Sequence, residues 1–105
     1  MQFRDHREVI IISADQKELI SKQQSVFAKD SAGFVERDLK TTICDEGDCN
    51  KKYSDYIKAG SKFNVLLIGK DGGVKATWNR LINTNELFAL IDAMPMRKSE
   101  MKKFD

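Results

Sequence analysis

The sequence predicts an α/β domain with the element order β-α-β-α-β-β-α. Three stretches carry this prediction: an unbroken apolar run at residues 9–12, a strand–turn–strand pattern at residues 63–78, and an amphipathic helix after Asn83. An unbroken apolar run is typical of a strand covered on both faces, and a strand that leads into a capped helix opens a βαβ unit. The 105 residues suit one domain, residues 1–105, and leave no room for two.

The first predicted strand is followed by two candidate helix caps. Ser13 has Gln16 three residues later, and Asp15 has Glu18, which is the spacing of a capping box. The helix that follows carries its large apolar residues on one face. It is predicted to run to about Gly33.

The middle of the chain predicts a second strand and a short helix. Residues 39–43 are partly alternating and β-branched, which favours a strand. After a polar loop, Asn50 is a candidate cap for a short helix. Gly60 is a candidate stop for that helix, because glycine is favoured just after a helix end.

Residues 63–69 form the clearest strand of the sequence. The turn signal that follows is Asp71, Gly72 and Gly73, since Asp-Gly and Gly-Gly supply positive φ at little steric cost. Residues 74–78 then alternate between apolar and polar side chains. The two strands are therefore predicted to form an antiparallel hairpin, whose outer strand is a candidate edge for pairing with another chain.

A last helix is predicted after Asn83, which has Glu86 at capping-box spacing. Apolar residues at positions 87, 88, 91 and 94 share one side of this helix. Pro95, the only proline, is predicted to end it. Residues 96–104 are predicted to add one or two amphipathic turns.

In this order the elements predict a thioredoxin-like fold, with a four- to five-stranded mixed sheet and helices on both faces. Two parallel-type crossovers come first, then a hairpin, then a closing helix. The sequence contains no internal repeat and no interdomain linker.

Composition and hydropathy argue against two classes of partner. The formal net charge is only +2, with basic and acidic residues interleaved, so no nucleic-acid binding is predicted. The longest apolar run, residues 87–91, has five residues, whereas a membrane-spanning helix needs about 20, so no membrane insertion is predicted. No cofactor is predicted, and an unidentified protein partner is the expected kind of ligand.

Two motifs resemble a known family. The runs FNVLLIGKDGGVK and NELFALIDAMPMRKSEM, with ERDL at residues 36–39, resemble the thioredoxin-like domain of unknown function of bacterial secreted proteins. The same domain occurs in sushi-repeat and equarin-type extracellular proteins, a group called P-DUDES. The resemblance implies a thioredoxin- or peroxiredoxin-like fold and an extracytoplasmic location, periplasmic or secreted, reached with removal of a signal peptide. It implies no particular reaction.

The thiol site of redox-active thioredoxins is missing from this sequence. Such proteins place Cys-x-x-Cys where the first strand meets its helix, because the positive helix end lowers the pKa of the leading thiol. Here that position reads Ser13, Ala14, Asp15 and Gln16. The cis-proline expected before the third strand is also absent, since residues 60–64 read GSKFN. The sequence therefore predicts no ordinary thioredoxin or peroxidase mechanism.

The only two cysteines, Cys44 and Cys49, flank an acidic loop at the far end of the second strand. Three interpretations stay open: a disulfide that staples the loop in an oxidising compartment, two reduced thiols, or a redox-active pair that gives an atypical oxidoreductase. The three neighbouring carboxylates disfavour a reactive thiolate. The predicted function is a non-catalytic, exported binding or structural module, with the oxidoreductase as its alternative.

Other candidate sites have simpler explanations. The cysteine loop lacks the four ligands of a zinc site, and the only histidine, His6, lies far off in sequence, so no metal site is predicted. Ser13 has no histidine placed for a nucleophilic triad, and a helix cap explains it. The Asp-Gly-Gly run lacks the spacing of a phosphate loop and joins two strands, so a hairpin turn is preferred.

Aromatic and methionine residues supply the candidates for a contact surface. Tyr53, Tyr56 and Trp78 are candidates for a binding surface, because aromatic side chains are favoured anchors at interfaces; packing in the core or at its rim is the alternative. The methionines at positions 94, 96 and 101 suit either an adaptable contact face or the closure of one end of the core.

Overall fold

The computed structural model describes residues 5–13, 16–44, 51–57 and 60–102. Besides residues 51–52, which are helical, they form four strands, four α-helices and one 3₁₀ turn. In chain order these are β1 (Arg7–Ser13), α1 (Lys17–Ala28), α2 (Ser31–Glu36), β2 (Leu39–Cys44), the 3₁₀ turn (Ser54–Tyr56), β3 (Phe63–Ile68), β4 (Val74–Trp78), α3 (Thr84–Asp92) and α4 (Pro95–Lys102). No helix among the described residues is long and apolar enough to cross a bilayer.

The strands form one mixed sheet in the order β2-β1-β3-β4. The first crossover is parallel, as predicted, because β1 pairs with β2 in the same direction. The second differs from the prediction, since β3 runs antiparallel to β1, and β4 returns antiparallel to β3 as the predicted hairpin. A buried apolar run has the same composition in either direction, so the residues of β3 alone do not define its orientation.

Each face of the sheet has its own apolar core. The larger core lies where α1, α2 and α3 cover the sheet, on what we call the helical face. The smaller core lies on the opposite face, where residues 51–52 are helical and the 3₁₀ turn follows. Helical segments therefore cover both faces, as predicted. The buried strand residues of the helical face are Val9, Ile11, Leu39, Phe63, Val65 and Leu67, and those of the opposite face are Ile10, Ile12, Leu66 and Ile68.

The first predicted helix is two helices in the structure. The helix α1 ends at Ala28, and α2 begins at Ser31. Between them the carbonyl of Asp30 accepts hydrogen bonds from the amides of Gly33 and Phe34. This interruption of the helix lets the Phe34 ring pack against the Phe27 ring, with ring centroids 5.1 Å apart. Gly33 lies so close to α3 that a Cβ here would stand 2.5 Å from the Phe88 ring. Aromatic packing at this junction therefore outweighs the continuation of one long helix.

The predicted caps have different outcomes. Asn83 caps α3 as predicted, because its side-chain oxygen accepts from the Glu86 amide at 2.8 Å. The prediction for Ser13 is wrong: Ser13 is the last residue of β1, and Gln16 stands at the start of α1 without a side-chain cap. The candidates Asp15 and Asn50 lie outside the described residues.

Pro95 lies at the junction between α3 and α4. The helix ends at Asp92, before the proline, so the prediction that the helix stops here is confirmed. Pro95 itself is the first residue of α4. Proline suits the first turn of a helix, since its missing amide hydrogen has no helical partner there.

Buried Gln23 holds the segment between β4 and α3 against α1. Its side-chain nitrogen donates to the Ile82 carbonyl, and its side-chain oxygen accepts from the Ile82 amide, both at 2.9 Å. These two hydrogen bonds satisfy a stretch of backbone that has no strand or helix partner.

Replacing Gln23 by Leu is expected to destabilise the fold by about 2 kcal/mol, because it leaves a buried amide and a buried carbonyl without partners. Urea unfolding of the variant measures this. The matched control is Gln24→Leu, since the neighbouring Gln24 is exposed and its replacement is expected to change stability by less than about 0.5 kcal/mol. Equal effects at the two positions would contradict the assignment.

Candidate functional site

Ser13 is the last residue of β1 and the first of the four positions at which the sequence predicts a redox motif to be missing. This residue pairs with Phe63 of β3 and is only 5% exposed. Its hydroxyl donates to the backbone carbonyl of Lys62 at 3.2 Å. Ala14 and Asp15 lie outside the described residues, and Gln16 is half-buried at the start of α1. The serine hydroxyl is therefore held by a backbone carbonyl rather than by a base.

His6 lies at the opposite end of β1 from Ser13. It directly precedes Arg7, the first residue of β1, whereas Ser13 is the last. Because the two residues bracket a seven-residue strand, at about 3.3 Å per residue, the imidazole cannot act on the Ser13 hydroxyl. Among the described residues, no histidine lies at the Ser13 end of β1.

Cys44 lies at the same end of the sheet as Ser13. Because β1 and β2 are parallel, Cys44 stands beside Ile12 in the register. It is half-buried and packs against the core of the opposite face. The described part of the chain contains no free cysteine, and Cys49 lies outside it. This proximity follows from the parallel direction of β2, which the predicted β-α-β crossover implied.

Nothing in the described residues suggests a metal centre. No group of three His, Cys, Asp or Glu side chains is placed to hold an ion within residues 5–13, 16–44, 51–57 and 60–102. The acidic residues of the cysteine loop fall in the gap at 45–50.

The three aromatic candidates for a binding surface do not lie together. Tyr53 is buried at 8% exposure in the core of the opposite face, and Trp78 is half-buried against the core of the helical face. Only Tyr56 is largely exposed, at 48%. The structure therefore uses two of the three side chains for packing, on opposite sides of the sheet.

A charged cluster at the other end of β1 was not predicted. Arg7 is 1% exposed and donates from Nη1 and Nη2 to the two carboxylate oxygens of Glu100, both at 3.2 Å. Glu100 also accepts from Lys70 at 2.7 Å. Lys70 in turn reaches Asp38 at 2.9 Å. This cluster ties α4 to β1 and to the hairpin.

A second group of ion pairs continues along α4. Arg97 is buried and contacts Asp92 and Glu36, each at 3.2 Å. Arg37 donates to both carboxylate oxygens of Asp92, at 3.0 and 2.9 Å. Its guanidinium also lies 3.9 Å from the centroid of the Phe88 ring, a cation–π contact. Charges from α2, α3 and α4 thus meet at one end of the helical face.

The clusters shift the ionisation of their members. Burial raises the pKa of Glu100, but the hydrogen bonds from Lys70 and Arg7 outweigh it and leave the pKa below its ordinary value. The same balance lowers the pKa of Asp92, where Arg37 and Arg97 are the donors. For Lys70, burial lowers the pKa, while the bonds to Glu100 and Asp38 raise it above the ordinary value.

A lowered folded-state pKa means that Glu100 stabilises the fold in its ionised form. This contribution is complete above the unfolded pKa of 4.5 and is lost as the pH falls through the lower folded value. Glu100→Gln is therefore expected to lower the free energy of unfolding by roughly 1–2 kcal/mol near neutral pH, since it leaves Arg7 without a counter-charge. The difference should vanish in acid.

Denaturant unfolding across a pH series measures this difference. Glu18→Gln is the control, because Glu18 is exposed in the first turn of α1. It is expected to change stability by only a few tenths of a kcal/mol. A Glu100→Gln effect that persists unchanged at low pH would show that the side chain acts by packing rather than by charge.

The fold is similar to that of solved thioredoxin-like proteins. A thioredoxin-2 of the malaria parasite, described as a component of its protein secretion machinery, is 17% identical, with 85% of this chain and 84% of that chain covered and a TM-score of 0.64. The mitochondrial 2-Cys peroxiredoxin of Plasmodium falciparum is 13% identical, with 84% and 74% covered and a TM-score of 0.57. At these identities the similarity shows the fold alone.

The family comparison covers nearly the whole chain. A model described as a domain of unknown function, DUF4174, matches residues 1–100. None of the curated protein sequences matches. The chain belongs to the DUF4174 family.

Proposed function

We propose that this DUF4174 domain is a non-catalytic thioredoxin-like module that binds a protein partner or stabilises a larger assembly outside the cytoplasm. The observation that carries the proposal is Ser13. It stands where redox members of the fold place their leading thiol, it is buried, and its hydroxyl is bonded to the Lys62 carbonyl. A hydroxyl in this place transfers no electrons and exchanges with no disulfide.

The two cysteines have a structural role in this proposal. Cys44 is half-buried beside Ile12 and is not a free thiol, and Cys49 is the only other cysteine of the chain. A disulfide between them closes a small loop after β2. By loop entropy such a bond contributes about 2 kcal/mol.

An extracytoplasmic location is part of the proposal. It is supported by the cysteine pair, because disulfides persist in oxidising compartments. The resemblance to bacterial secreted proteins and to sushi-repeat and equarin-type extracellular proteins supports it as well. Isolation of the protein from its own cells with Cys44 as a free thiol would contradict this part.

The catalytic question is decided by a disulfide-reductase assay. With insulin as substrate and dithiothreitol as reductant, the wild-type protein is expected to match the rate without protein, because no leading thiol stands at residues 13–16. A thioredoxin with its Cys-x-x-Cys motif is the positive control. A rate clearly above the blank would overturn the non-catalytic assignment.

The double variant Cys44→Ser/Cys49→Ser is expected to lower the free energy of unfolding by about 2 kcal/mol in oxidising buffer, through loss of the closed loop. Thermal and denaturant unfolding measure the change. The control is a reducing buffer, in which the wild type and the variant should have the same free energy of unfolding. Equal stability in oxidising buffer would exclude the staple.

An oxidoreductase that uses Cys44 and Cys49 is the second candidate. One observation favours it, since the register places Cys44 at the same end of the sheet as the missing motif. In that case the insulin assay is positive and Cys49→Ser abolishes the activity. Activity that survives in the double serine variant would exclude this candidate too.

A further inference from the structure

A cavity of about 330 Å³ lies at the opposite end of the sheet from Ser13. It is lined by Arg7 at the start of β1, by residues of the turn between β3 and β4, and by residues at the start of α4. The volume falls at the small end of the range for ligand cavities. The cavity shares no residue with the thioredoxin-type site.

The charged residues that line this cavity are mostly cationic. They are Arg7, Lys70 and Lys75, with Asp71 as the single carboxylate. The acidic partners of Arg7 and Lys70 in the charged cluster, Glu100 and Asp38, are not part of the lining. Arg7 and Lys70 are therefore already neutralised by these carboxylates, and Lys75, whose one carboxylate partner Asp71 is itself exposed, is the cation that an anion can reach.

Lys75 is the cation best placed to meet a ligand. Its ammonium bonds Asp71 at 2.6 Å, and both side chains are about one third exposed, at 37% and 34%. Exposed ion pairs of this kind are weak, and an ammonium has three donors. Gly69 makes room for the lysine stem, because a Cβ there would stand 2.6 Å from its Cε.

Three further residues of the lining are apolar and form its apolar part. It consists of Met94, Pro95 and Met96, and Met94 also packs against the core of the helical face. Methionine side chains adapt to ligands of irregular shape. A charged side with a flexible apolar wall matches a molecule that has one anionic end and one aliphatic end.

We propose that this cavity binds a medium-chain aliphatic carboxylate, with the carboxylate at Lys75 and the chain against Met94 and Met96. The site lies at the other end of the sheet and does not depend on the function proposed above. Its anionic end competes with Asp71 for the Lys75 ammonium. Loss of the Asp71 charge therefore strengthens binding, and loss of the Lys75 charge weakens it.

The test is titration of the full chain with octanoate, below its micelle concentration, followed by NMR of the methionine methyl groups. Saturable shifts are expected for Met94 and Met96 and not for Met101, which does not line the cavity. Acetate, which lacks the chain, and octanol, which lacks the charge, should each bind at least about tenfold more weakly. Octanol binding as tightly as octanoate, or no saturable shift, would overturn the proposal.

Three variants separate charge recognition from a merely apolar groove. Lys75→Met should weaken octanoate binding about tenfold, the value of one charge-assisted hydrogen bond. Asp71→Asn should strengthen it, while its Oδ1 keeps the bond from the Gly73 amide, now 2.9 Å. Lys40→Met, an exposed lysine on β2, is the control and should change nothing. Equal affinity in Lys75→Met and the wild type would contradict the assignment, provided that the variant keeps the wild-type amide spectrum.

Discussion

Burial of β1 on both faces is the constraint on which the rest of the structure depends. The strand lies between β2 and β3, and its four central apolar residues belong alternately to the two cores. Each buried side chain of this size contributes about 1.5–3 kcal/mol. The polar residues at the two ends, Arg7 and Ser13, are therefore drawn into the protein and need partners there.

The polar residues at the two ends of β1 find different kinds of partner. At the carboxyl end the Ser13 hydroxyl is satisfied by one backbone carbonyl. At the amino end Arg7 needs a carboxylate, and Glu100 supplies it from α4. That ion pair holds α4 against β1, and the bond from Lys70 to the same carboxylate holds α4 against the hairpin, beside the cavity.

Local patterns in the sequence predicted most of the framework. The strand β4 occurs at the predicted residues, and Asn83 caps α3 as its spacing indicated. The Ser13 cap failed because long-range pairing with Phe63 extends β1 by one residue, and pairing energy outweighs a local capping signal. A local pattern carries no information about such partners.

For the candidate sites too, some features could be predicted from local sequence and others depend on long-range contacts. The absence of a thiol at residues 13–16 could be read directly from the sequence. The pairing of Arg7 with Glu100 spans 93 positions, so no spacing rule reaches it. The end of the sheet at which Cys44 lies follows from the predicted parallel crossover, whereas its register beside Ile12 is set by long-range strand pairing that local patterns do not encode.

The reduction potential of Cys44 and Cys49 tests the central claim most directly. It is obtained by equilibrating the protein in a glutathione series, alkylating the free thiols and counting the labels by mass spectrometry. A structural disulfide in a non-catalytic module predicts a potential below roughly −300 mV. A value of about −120 to −270 mV, the range of thiol-exchange proteins, would contradict the claim and identify the pair as redox-active.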